Sequence, residues 1–125
     1  MAEYLQTTPS SFKVDLSYLE DIAGGSKEFI IEMIDMFLEQ TPGYCLEIKQ
    51  GIVDQDWKKV SDLAHKIKPT LAFMGNHAAK DVMSTIETDS RNLVNLDTLG
   101  ATFDELHTVC IQLFGDLKAA RANFL

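Results

Sequence analysis

Trp57-Lys58-Lys59-Val60-Ser61-Asp62-Leu63-Ala64-His65-Lys66-Ile67-Lys68-Pro69-Thr70-Leu71-Ala72-Phe73-Met74 is the stretch on which the fold turns. Its apolar residues Trp57, Val60, Ala64, Ile67, Leu71 and Met74 are spaced 3, 4, 3, 4, 3. At about 3.6 residues per turn, that spacing holds one stripe on one side of a helix and suits a partner helix at a shallow crossing angle. Asp54 or Asp56 can cap its start, and Gly75-Asn76 signals its end.

The flanking segments repeat the pattern. Upstream, Ser26 caps a helix whose apolar positions are Ile30, Met33, Ile34, Phe37, Thr41, Tyr44, Cys45 and Ile48. The phase survives Pro42, which predicts one long helix kinked there and ending near Gly51 or Val53. Downstream, one helix runs from about His77 to Leu93 with Ala79, Val82, Met83, Ile86 and Ser90 inward. Another runs from about Asp97 to the end on the seam Leu99, Phe103, Leu106, Cys110, Leu113, Leu117, Ala120 and Phe124. A short helix from Asp15 to about Ala23, with Leu16, Leu19 and Ile22 on one side, stops at Gly24-Gly25. No segment alternates as strands do. The expected fold is all-α: an antiparallel up-down-up-down four-helix bundle with a short extra N-terminal helix. Residues 1–13 read as a tail and 14–125 as the bundle domain.

The 125 residues suffice for one domain with one core. A formal charge of −8 argues against nucleic-acid binding. No apolar run reaches the roughly 20 residues that membrane insertion requires, and no secretory signal opens the chain. The initial methionine and ordinary tail favour a free-standing protein. Cys45 and Cys110 fall on helical seams, where reduced thiols pack as small hydrophobes and imply a cytoplasmic location. Trp57, Met33, Met36, Met74 and Met83 read as core or near-core residues, His77 as a helix-start residue and His107 as half-buried.

His65 departs from this economy. It is rotated about 100° from Ala64 and farther from Ile67, so it leaves the seam and faces water. Lys58, Ser61, Asp62, Lys68, Pro69, Ala72 and Gly75 share that outward face. Beyond His65 the face shrinks to Ala72 and Gly75, which would let another protein approach closely. A histidine side chain ordinarily titrates near pH 6.5, so a neutral imidazole with a free lone pair is within reach at cytoplasmic pH. Lys68, three residues on, can offset the negative charge of a phosphoryl group. Glu87, beside the inward Ile86, is a candidate to hold the second ring nitrogen. The duller alternative is an exposed histidine on a solvated helix.

The run Ala64-His65-Lys66-Ile67-Lys68-Pro69, with Gly75 ten residues after the histidine, resembles the signature Ala-His-x-Leu-Lys-Gly and following glycine of histidine-containing phosphotransfer (HPt) domains of bacterial multistep phosphorelays. Phe37-Leu38-Glu39-Gln40-Thr41-Pro42, Asp56 at the start of the histidine helix, and a polar residue 22 positions after the histidine, here Glu87, extend the resemblance to roughly residues 15–123. It implies a phosphocarrier and not an enzyme in its own right. His65 would accept a phosphoryl group from a receiver-domain aspartate and pass it to another receiver. Lys68 would steady the phosphoryl oxygens, Glu87 would orient the imidazole, and Ser61, Pro69, Ala72 and Gly75 would meet the partner. The implied partners are response-regulator receiver domains and a hybrid histidine kinase, with the carrier a monomer. No cofactor is implied for this chain, since the Mg²⁺ sits on the receiver.

Pro69 replaces the family's usual glycine. A helical proline deprives the carbonyl four residues back of its donor, and that carbonyl belongs to His65, so a bend at the histidine is expected. Two other readings compete. One is a helical adaptor or dimerisation bundle without phosphorylation. The other is a metal-binding bundle, suggested by Asp62-x-x-His65 and Asp104-x-x-His107, although those ligands would have to project inward.

Overall fold

The computed structural model describes residues 15–124, so the tail at 1–13 and the domain's expected first residue, Val14, lie outside the described residues. Among the described residues five helices follow one another: α1 Ser17–Ala23, α2 Lys27–Val53, α3 Trp57–Phe73, α4 His77–Asn92 and α5 Leu96–Ala122. No strand occurs among the described residues. The caps lie where short polar side chains permit. Ser26 accepts from the Phe29 N–H, Asp56 from the Lys59 N–H, and Asn76 from the Ala79 N–H. These bonds satisfy donors that a helix start otherwise leaves unpaired.

Short connections make consecutive helices neighbours, and α5 returns to α2, closing a four-helix ring. Three pairs fix the direction of that closure. Asp35 meets Arg121, Phe37 meets Phe114, and Lys49 meets Asp104, so α5 descends as α2 rises. The seams fill the interior: Phe103, Ile34, Ile48, Ile67, Leu71, Met83, Leu106 and Leu113 are fully enclosed. Such a side chain contributes about 1.5–3 kcal/mol by leaving water. Cys45 and Cys110 are buried and free. Trp57 is half-buried at the edge of the core.

Both internal prolines are carried without interruption. α2 passes through Pro42 and α3 through Pro69 as single helices. Two apolar expectations fail. Ile22 is 46% exposed, because α1 is a seven-residue helix that lies outside the four-helix ring and buries only one side. Met36 is 51% exposed, lying between the buried positions Ile34 and Phe37 and outside their arc.

The chain leading into α1 crosses the end of α3. Asp15 packs its carbonyl against Gly75, and Tyr18 stacks on Phe73 with ring centroids 5.5 Å apart. Gly75 has φ +80°, and a β-carbon there would lie 1.7 Å from the Asp15 carbonyl oxygen. Only glycine meets both demands.

Candidate functional site

α3 is packed against α2 on one side and α4 on the other. It buries Val60, Ser61, Leu63, Ala64, Ile67 and Leu71. His65 stands out of this arc with its side chain 68% exposed, on the edge facing α4. Its Nδ1 lies 2.9 Å from Oε2 of Glu87. Glu87 sits in α4 directly after the buried Ile86 and is itself only 4% exposed. Lys68, one turn along from His65, brings Nζ to 2.8 Å from Oε1 of the same carboxylate. Arg91, one turn along from Glu87, donates to Oε2 as well.

A buried carboxylate needs partners to stay ionised. Burial pushes the Glu87 carboxyl up, but the bonds from Lys68, Arg91 and His65 outweigh it and bring it down to about 2. At neutral pH Glu87 is therefore an anion and only an acceptor. In the neutral ring the hydrogen then lies on Nδ1 of His65, which leaves the lone pair on Nε2. No described residue hydrogen-bonds Nε2. The arrangement is a ring held at one nitrogen, a nucleophile at the other, and a lysine beside it.

The sequence-derived candidates divide accordingly. His65, Lys68 and Glu87 come together in one cluster. Pro69 is exposed and Ala72 half-buried on the adjoining surface of α3. Ser61 does not belong there. It is 4% exposed, because α3 is flanked on two sides and buries a wider arc than a single seam implies. Gly75 is not a clearing for a partner either: it lies beyond the end of α3, and the space over it is taken by Asp15. Arg91 escapes the sequence reading. The signal for it is its spacing of four from Glu87 on one helix, a common pattern that gains meaning only once Glu87 is known to be buried.

The other histidines stand apart. His77 is the exposed first residue of α4. His107 is half-buried, stacked on Phe103, and its pKa is lowered by burial and by Lys49, against the pull of Asp104. Asp62 pairs with Lys58 and His65 with Glu87, and among the described residues no three His, Cys, Asp or Glu side chains gather as a metal site. No helix among them is long and apolar enough to cross a membrane.

An all-helical ring with a half-held, solvent-facing histidine is the arrangement of a phosphotransfer domain, and the chain belongs to that family: residues 32–113 match the Hpt domain. It is also similar to the phosphorelay intermediate protein rdeA of Dictyostelium discoideum, with 25% identity over 124 residues. That alignment takes in 99% of this chain and 48% of the relative, so the chain spans about half the length of the protein it matches. No solved structure matches it significantly.

Proposed function

We propose that the chain is a phosphocarrier in phosphorelay signalling, with His65 as its phosphoacceptor. The observation that carries this is the unequal treatment of the two ring nitrogens: Nδ1 is held by a buried carboxylate, while Nε2 has no hydrogen bond from the described residues on a side chain that is 68% exposed. The Nε2 lone pair attacks the phosphorus of a receiver's aspartyl phosphate. The bond from phosphorus to the carboxylate oxygen breaks, and the receiver's aspartate leaves with the electron pair. Nδ1 keeps its hydrogen, so the ring becomes cationic and Glu87 faces that charge. Lys68, 29% exposed and one turn along from His65, steadies the phosphoryl oxygens. In the onward step an aspartate oxygen of a second receiver attacks phosphorus, and the Nε2–P electron pair returns to the ring.

In this scheme the chain is not an enzyme by itself and needs no cofactor of its own. The receiver brings the Mg²⁺. Receiver domains dock over the surface holding Pro69 and Ala72, helped by a locally basic helix carrying Lys58, Lys59, Lys66 and Lys68. A hybrid histidine kinase stands upstream, and the carrier works as a cytoplasmic monomer. Incubation with a phosphorylated receiver tests the core of the scheme. The expected product is an acid-labile, alkali-stable phosphate that is lost in His65→Ala. A well-folded wild type that takes no label from any receiver of the same cell overturns it.

A further inference from the structure

Arg91 has no part in the scheme above, yet its guanidinium takes the same oxygen, Oε2 of Glu87, that receives the Nδ1–H of His65. Its side chain is 58% exposed while that of Glu87 is 5% exposed, so it reaches inward from the surface to a buried acceptor. We propose that Arg91 is a positioning residue for the phosphoacceptor: by sharing Oε2 it lets Glu87 orient His65 without drawing a second proton onto the ring. This deepens the phosphocarrier reading and rests on it for its functional meaning.

The physical problem is specific. A buried carboxylate beside an imidazole favours the imidazolium, because the ion pair offsets the cost of burying the anion. An imidazolium has no lone pair on Nε2 and cannot attack phosphorus. The site must therefore hold Nδ1–H firmly and still resist protonation at Nε2. Two fixed cations achieve this. Lys68 is ion-paired with Oε1 and Arg91 with Oε2, and together they offset the carboxylate's charge and repel further positive charge. With a neutral ring the cluster carries +1: two cations less one anion. Protonating His65 would raise it to +2. A phosphoryl group of about −1.5 to −2 charge would instead be met by the existing surplus. The neighbouring charges are engaged elsewhere. Lys66 sits 4.9 Å over the Tyr44 ring on α2, and Asp62 pairs with Lys58 at 2.8 Å.

The test is an NMR titration of the His65 ring in wild type, Arg91→Met and Arg91→Lys, repeated for Glu87→Gln and for Glu87→Gln with Arg91→Met. A pH profile of phosphorylation by phosphoramidate accompanies it. Arg91→Met is expected to raise the His65 midpoint by about half to one pH unit, the scale on which a nearby charge acts at a partly exposed site. The phosphorylation profile shifts by the same amount, which below the midpoint is a roughly three- to tenfold fall in rate. Arg91→Lys restores most of it. Without the shared carboxylate, in the Glu87→Gln background, Arg91→Met moves the midpoint by less than half as much. An unchanged midpoint in a folded Arg91→Met protein overturns the proposal. So does an equal shift in both backgrounds, which would mean direct repulsion and not action through Glu87. The titration is read on unphosphorylated protein, so failure to accept phosphate would count against the carrier reading and leave this measurement standing.

Discussion

Glu87 balances burial against three donors, and that balance has a pH at which it fails. Its folded-state pKa, about 2, lies below its ordinary 4.5. A depressed carboxyl contributes stability that is complete above the ordinary value and is lost as pH falls through the folded one. The wild type should therefore lose stability between about pH 4.5 and 2 more steeply than Glu87→Gln, which has no proton to take up there. Urea midpoints measured across that window compare the two, and parallel curves would contradict the ion cluster. Ser61 makes a different case. Its site is closed, so Ser61→Leu overpacks the core and should cost about 1–3 kcal/mol by denaturation. A residue at a docking surface would tolerate the same change with its stability intact.

α2 and α5 each carry glycines inside a helix, where alanine is normally better by about 1 kcal/mol. Surroundings decide the sign. A β-carbon on Gly115 meets nothing within 4 Å, so Gly115→Ala should stabilise by about 0.5–1 kcal/mol. A β-carbon on Gly51 would lie 2.9 Å from the Val60 side chain, which is wholly buried and cannot yield, so Gly51→Ala should destabilise despite the propensity. Thermal midpoints of the two variants should move in opposite directions. The same contrast explains what the sequence reveals of the elements. The seam of α3 names Val60, Ala64, Ile67, Leu71 and Met74 correctly, because helical period alone decides which side is apolar. It does not foresee Ser61, since the width of the buried arc depends on how many helices pack against α3. His65, Lys68 and Glu87 are legible because chain spacing sets them on facing helices. Arg91 is not, because periodicity is silent on which rim charge turns inward to a shared acceptor.

Across the whole molecule the ring is closed by α2 and α5, and its interior includes two thiols. The hydrogen bond with Cys45, together with burial, pushes the Cys110 thiol well up. Only a thiolate attacks disulfide reagents readily. Cys45 and Cys110 are both wholly buried, so both should stay silent toward such a reagent at pH 8 until the bundle opens, and react together in denaturant. Labelling without unfolding would show that α2 and α5 separate on their own. The family match stops at residue 113, short of Phe114, Leu117 and Arg121, and begins at residue 32, after α1. A 32–113 fragment should consequently show little cooperative unfolding. The carbonyl of Asp15 seated over Gly75 adds a rule for transplantation. A chimera grafting this carrier onto another chain must place its junction upstream of residue 15. A later splice would strip Phe73 of its Tyr18 cover and leave an open notch ten residues beyond the histidine it was meant to deliver.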